Sequence, residues 1–104
     1  MAKHRNEVVW KFLFILLEQI QTMNRVQVLA ELTTLLNEVL ERTDVEINEA
    51  TTAKDVDGWD SLNHAIFIGE IQKHFSVKFA LREVIGLKQV GNICDLVIER
   101  IENK

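Results

Sequence analysis

Hydrophobic positions along this chain recur with the period of a helix. Between residues 26 and 41, apolar side chains repeat at steps of three and four and so share one helix face; they are Leu29, Leu32, Leu36, Val39 and Leu40. Similar stripes cover residues 62–75 and 93–102, and residues 81–85 fit one short turn ended by Gly86. The pattern predicts an all-α fold, a small bundle of three long helices and a short one.

Residues 6–21 carry a different pattern and predict an extra N-terminal helix. This helix is apolar on nearly all sides, and Lys11 alone interrupts the run at residues 8–17. The run is shorter than the about 20 apolar residues that span a bilayer, and no signal-peptide cleavage pattern follows it. We therefore divide the chain into an N-terminal extension, residues 1–22, and a main domain, residues 23–104.

Three interpretations of this extension remain open. It packs on the bundle as an added helix, or it docks to a partner, a second copy or a membrane surface through residues 8–20. In the third interpretation, the chain normally starts further along and the segment is not translated. The sequence favours none of the three.

Residues 43–60 lose the helical period. Val45, Ile47 and Val56 are scattered among polar residues, which predicts a long ordered loop held by a few apolar contacts. Long ordered loops in small domains are often functional. Residues 76–79 alternate like a strand, but four residues without a partner strand do not change the all-α prediction.

Composition narrows the class of protein. The chain has 104 residues, of which 47% are hydrophobic and 27% charged, as in an ordinary single globular domain. It has no proline and one cysteine, which excludes a disulfide-stapled chain and fits a reducing, cytoplasmic setting. The net charge of −4 disfavours a general nucleic-acid binder, because such proteins normally carry a basic surface.

The most informative stretch is residues 57–64, which read Asp-Gly-Trp-Asp-Ser-Leu-Asn-His. Asp60 and Ser61 are good N-cap residues and precede a predicted helix that Phe75 closes. A long acidic loop that ends in Asp-Ser-Leu, set in the order long helix, long loop, second helix, short helix, final helix, resembles the acyl carrier protein family. The resemblance covers about residues 26–101.

The resemblance implies that Ser61 is the site where a phosphopantetheinyl transferase attaches 4′-phosphopantetheine from coenzyme A. It also implies that Asp60 presents the serine and that Leu62 packs beside the attached group and seats the helix. The protein would then be a stand-alone carrier of acyl groups as thioesters, not an enzyme, and a substrate and partner of acyl-loading and acyl-using enzymes. A helix N-terminus suits the anionic phosphodiester.

The predicted second helix departs from the carriers of fatty-acid synthesis, which usually have an acid-rich helix here. Glu70 and Lys73 leave it formally neutral. We therefore expect a partner surface that docks by packing and includes Trp59, His64 and Ile66. This favours a specialised lipid, polyketide or related acyl-transfer pathway over housekeeping fatty-acid synthesis.

Two positions near this surface have a second interpretation. Trp59 is either a partner contact or a lid that anchors the loop onto the core. Ile68, like Ile66, flanks the inferred buried face of Leu62, Phe67, Ile71 and Phe75, and we expect it to be partly exposed.

Other functions compete with the carrier hypothesis. The main rival is an unmodified helical interaction module that keeps the carrier fold. The aspartate, serine and histidine within residues 60–64 do not predict a catalytic triad, because the Gly-x-Ser-x-Gly elbow and an oriented relay are missing. A metal site is not expected either, because zinc-ligand spacing is lacking among the candidate ligands; these are His64, Glu70, His74 and Cys94.

Overall fold

The computed structural model describes residues 2–103, with the side chains of residues 8–16 and 25–103. Its elements are helix α1 (Ala2–Leu40), a 3-10 turn (Ala53–Asp55) and helices α2 (Ser61–Phe75), α3 (Leu81–Ile85) and α4 (Val90–Glu102). No strand forms between residues 2 and 103, and residues 76–79 are irregular. The all-α prediction is confirmed, as is the short turn at residues 81–85.

Helix α1 is continuous where the sequence predicts two helices. Residues 22–25 contain neither glycine nor proline, the two residues that most disfavour a helix interior. The helix ends at Leu40, after which Glu41 takes a left-handed conformation with φ 55°. The backbone N–H of Arg42 then donates to the carbonyl of Asn37 at 2.8 Å, which closes the helix end.

The core lies between the second half of α1, α2 and α4. Its side chains come from all three helices and from the loop before α2; they include Val28, Leu32, Leu36, Phe67, Ile71, Ile93 and Val97. Burying one such side chain contributes about 1.5–3 kcal/mol relative to leaving it in water. The prediction that Ile68 is partly exposed is wrong, since only 4% of it is exposed. The prediction that Leu62 is buried is also wrong, since 70% of it is exposed. The buried face of α2 is therefore wider than one stripe and starts after the first turn.

The long loop predicted at residues 43–60 is present, and its apolar residues Val45, Ile47 and Val56 pack in or against the core, as predicted. Hydrogen bonds also tie the loop to α1 and α4. The Asn37 side chain exchanges two hydrogen bonds with Val45: its Nδ2 donates to the Val45 carbonyl, and its Oδ1 accepts from the Val45 N–H, both at 3.0 Å. Further along, the Gly91 N–H at the start of α4 donates to the Glu49 carbonyl at 2.8 Å. A Cβ at Gly91 would lie 3.0 Å from that oxygen, so any larger residue there would push the Glu49 carbonyl away by a few tenths of an ångström.

Helix α4 begins three residues earlier than predicted. Gln89 is the residue before its first turn, and Asn92, the predicted cap, lies inside that turn. The Asn92 Oδ1 accepts from the Gln89 N–H at 3.0 Å, so this side chain stabilises the helix start from within.

Residues 8–16 extend α1 away from the bundle, and all nine are exposed. The bundle begins near Arg25, whose guanidinium binds Glu49 through Nε at 2.8 Å and Asp95 through Nη1 at 2.7 Å. For residues 8–16, the interpretation that they pack on their own bundle is wrong. Within residues 2–103, no helix has the length and apolar character needed to cross a membrane.

Candidate functional site

Asp60 builds the junction between the long loop and α2. Its Oδ1 accepts from the Asn63 N–H at 2.8 Å, and the Asn63 Nδ2 donates to the Gly58 carbonyl at 2.8 Å. Gly58 has a φ of 89°, a conformation that glycine adopts without strain. The predicted N-cap is confirmed at Asp60. Ser61 is the first helical residue, and it is exposed.

Trp59 anchors the loop onto the core. Its ring meets the Phe67 ring edge-on, with centroids 5.5 Å apart and planes at 90°. Only 6% of Trp59 is exposed, so it offers almost no surface to a partner, and the lid interpretation describes its position. The corresponding expectation of a partner contact at Trp59 does not fit this burial.

His64 is held by the same tryptophan. The Trp59 Nε1–H donates to the His64 Nδ1 at 3.0 Å. An acceptor at Nδ1 means that the neutral ring carries its proton on Nε2. Partial burial lowers the pKa of His64 and favours this neutral form.

An open groove of about 420 Å³ runs beside the serine. Its walls come from the 3-10 turn, the start of α2 and the segment between α3 and α4; the lining residues are Ala53, Lys54, Trp59, Asp60, Ser61, His64 and Leu87. The structure thus brings Asp60, Ser61 and His64 together in one groove. The sequence analysis does not predict Lys54 or Leu87 as site residues. Lys54 could have been found from the sequence, because it is the only lysine or arginine between residues 43 and 72.

Leu62 and Ile66 lie outside this groove, on an exposed face of α2. Leu62 is 70% and Ile66 44% exposed, so the prediction of an exposed Ile66 is confirmed. Gly69 follows on the same face, one helical turn further along, and a Cβ there would meet nothing within 4 Å. Packing within the chain therefore does not require glycine at this position.

The groove does not assemble a hydrolytic relay. The Asp60 carboxylate caps α2 through Asn63, and the His64 Nδ1 that an orienting acid would bind is occupied by Trp59. Among the described residues, no group of three or more histidines, cysteines or acids could hold a metal ion. Cys94 lies buried in α4, and burial raises the pKa of its thiol to about 11.

Comparisons with known proteins show the family and the fold. The model of a family described as a phosphopantetheine attachment site matches residues 30–97. The holo acyl carrier protein of Geobacter metallireducens is 36% identical, with a TM-score of 0.68, over 72% of this chain and 86% of that chain.

The acyl carrier protein of Thermotoga maritima shares the fold, with a TM-score of 0.70 at 21% identity, over 78% of this chain and 94% of that chain. A search of curated proteins finds no significant match. Since the family match spans well over half of the chain, the protein belongs to the acyl carrier protein family, whose members are carriers rather than catalysts and hold a covalently attached 4′-phosphopantetheine.

Proposed function

We propose that Ser61 is the attachment site and that the protein is a stand-alone carrier of acyl groups. The observation that carries this proposal is the exposed Ser61 hydroxyl at the first position of α2, beside an open groove. The N–H groups of a first helical turn have no intrahelical acceptor, and the helix dipole favours an anion there. Lys54 adds a positive charge to the same groove. These residues fit a phosphodiester on Ser61.

Asp60 and Leu62 have distinct roles in this proposal. Asp60 fixes the turn through its bond to the Asn63 N–H, so that Ser61 is presented from a defined first turn rather than from a loose loop. Its negative charge repels a phosphodiester, which is why we assign it presentation of the serine and not binding of the attached group. Leu62 is exposed next to Ser61 and provides an apolar surface beside it.

The attachment itself is a transfer catalysed by a phosphopantetheinyl transferase. The Ser61 Oγ forms a bond to phosphorus as the pyrophosphate linkage of coenzyme A breaks, adenosine 3′,5′-bisphosphate leaves, and the hydroxyl proton goes to the transferase or to solvent. When bound, the group supplies a terminal thiol that forms thioesters with acyl chains. Acyl-loading and acyl-using enzymes are then the further partners.

The exposed face of α2 supports a specialised pathway over housekeeping fatty-acid synthesis. Leu62, Ile66 and Gly69 make it apolar and small, and Glu70 is the only acid in the helix. A partner that meets this face gains more from packing than from charge. We therefore propose that the enzymes that load and use this carrier belong to a specialised lipid, polyketide or related acyl-transfer pathway.

Intact-protein mass after incubation with coenzyme A and a broad-specificity transferase tests the attachment site. We expect one added 4′-phosphopantetheine, mapped to Ser61 by fragmentation and absent from Ser61→Ala. Ser76 is the matched control, because it is the only other serine and lies exposed at the far end of α2. Its φ of 55° suits glycine, so Ser76→Gly should fold and accept the group.

Two outcomes of this experiment contradict the proposal. A Ser61→Ala variant that still gains the group would place attachment elsewhere. A folded natural chain that gains nothing with several transferases would favour the unmodified interaction module with the carrier fold.

Loading by a purified malonyl transferase of fatty-acid synthesis tests the pathway proposal. We expect slow loading of the modified chain and faster loading of Ile66→Glu, which adds an acid to α2. Ile85→Glu is the control, since Ile85 is 72% exposed on α3, and it should change the rate less. Loading of the natural chain as fast as a fatty-acid carrier would contradict a specialised role.

A further inference from the structure

Residues 8–16 form an apolar surface that the carrier function leaves unexplained. Nine consecutive helical residues cover every side of a helix, and Lys11 is the only polar one among them. The exposed fractions of the other eight run from 40% at Leu16 to 70% at Trp10; these residues are Val8, Val9, Trp10, Phe12, Leu13, Phe14, Ile15 and Leu16. Together they expose roughly 800–1,000 Å² of side chain, whereas the largest apolar patch on a typical monomer is about 300–600 Å².

A lipid surface fits this segment poorly. Helices that lie in a membrane interface have one apolar face and an opposite polar face rich in lysine and arginine. Here Lys11 is the only base between residues 8 and 16, and apolar side chains stand on all sides. Such a helix would leave part of its apolar surface in water even when it lies on lipid.

A second copy of the chain fits it better, and we propose that the protein self-associates through residues 8–16. A stable protein interface buries about 800 Å² from each partner, and this segment exposes that much only when all its sides are counted. Each copy supplies the same apolar helix, and helices that are apolar all round are stable when other helices surround them. One neighbouring helix covers only one side, so assemblies of more than two copies bury more of the segment.

The negative charge of residues 23–104 disfavours contact between the bundles of two copies and so favours contact through residues 8–16. Residues 23–104 contain nine basic and fourteen acidic residues, a net charge of −5. The bundles of neighbouring copies therefore repel one another. Lys11 is the only charged residue between residues 8 and 16, so the segments themselves approach without comparable repulsion.

Self-association at this end leaves Ser61 accessible. The other end of α1 lies beside the serine's loop, where the Arg42 Nη1 donates to the Asp57 carbonyl at 3.1 Å. Leu40 lies 24 residues after Leu16, a distance of about 36 Å along the helix at 1.5 Å per residue. An assembly joined through residues 8–16 therefore presents one free Ser61 for each copy.

Sedimentation velocity of the full chain over a wide concentration range tests this proposal. We expect particles of at least twice the 12.0 kDa chain mass. The double variant Phe12→Glu with Leu16→Lys removes two apolar side chains and adds a helix-supporting pair four residues apart. It should weaken association at least about a hundredfold, which corresponds to the loss of two buried apolar side chains.

The matched control is Leu81→Glu with Ile85→Lys. These residues have the same spacing and are 76% and 72% exposed, but they lie on α3. This variant should associate like the natural chain, and circular dichroism should show that both variants are folded. A monomeric natural chain would overturn the proposal, as would unchanged association of the Phe12→Glu, Leu16→Lys variant. A chain that stays monomeric and sediments with phosphatidylcholine–phosphatidylglycerol vesicles would overturn it in favour of lipid.

Discussion

The two halves of α1 are both rich in apolar residues, yet only one of them is buried. Phe12 is 66% exposed in the first half, whereas Leu36 is fully buried in the second. The backbone is helical in both. In the second half, apolar residues recur at three- and four-residue steps and form a stripe that α2 and α4 cover, whereas in residues 8–16 they occupy every side. Helix formation and burial are therefore set by different features of the sequence.

The two ends of the molecule differ in how their side chains are held. At the Ser61 end, Asp60 caps α2 and Trp59 binds both Phe67 and His64, so several tertiary contacts fix the geometry of one groove. At the N-terminal end, residues 8–16 are exposed, and the helix backbone alone sets the positions of their side chains. A site that presents one hydroxyl needs a geometry fixed by tertiary contacts. An association surface can form from an exposed helix such as residues 8–16.

The largest expected effect compares Leu36→Ala with Phe12→Ala. The first change leaves a cavity in the core and should lower the free energy of unfolding by about 2–5 kcal/mol. The second removes an exposed ring and should change it by less than about 0.5 kcal/mol. Urea unfolding followed by circular dichroism at low protein concentration measures both. Equal losses would mean that residues 8–16 pack on the bundle after all.

A smaller effect is expected at the loop that leads to the Ser61 end. Asn37→Ala removes both hydrogen bonds to Val45, and we expect a loss of about 1–3 kcal/mol with faster hydrogen exchange at the Val45 N–H. Thr34→Ala is the control on the same helix, since the Thr34 hydroxyl is exposed and bonds only within α1, at the Ala30 carbonyl. Comparable losses in the two variants would show that the loop does not depend on Asn37.

Much of the fold could be predicted because its signals are local. Helical period, the Asp60 cap and the glycine after α3 each depend on a few neighbouring residues, and the structure has all three. The continuity of α1 does not follow from the hydrophobic pattern, because that pattern changes near residue 22 while the backbone stays helical. The burial of Ile68 and the exposure of Leu62 were missed because they depend on where α2 meets the rest of the core.

The site was predictable in its motif and not in its surroundings. Asp60, Ser61 and His64 lie within five residues of each other, so one stretch of sequence names them. Lys54 and Leu87 reach the same groove from the 3-10 turn and from the segment after α3. Only the folded chain brings these together.

The smallest effect concerns His64 and tests the Ser61 end alone. In the unmodified protein, burial lowers the pKa of His64. The stability that the neutral imidazole contributes is therefore fully present above the pKa of His64 in the unfolded chain. It is lost as the pH falls through the lower pKa of His64 in the folded protein. Lys54 and Asp60 are the charged residues that line the groove together with His64, and attachment at Ser61 alters neither side chain. A phosphodiester on Ser61 adds an anion to that groove and should raise the pKa of His64.

Proton NMR titration of the imidazole before and after modification measures this shift, with His64→Gln identifying the signal and intact mass confirming that the group is attached. A shift to higher pKa would place the phosphodiester on the groove side of Ser61, within the influence of His64. An unchanged pKa in fully modified protein would place it on the other side, towards Leu62 and the exposed face of α2. In that case, the bond from the Trp59 Nε1 to the His64 Nδ1 serves to hold the loop on the core, and Lys54 is the one lysine or arginine among the described residues that line the groove.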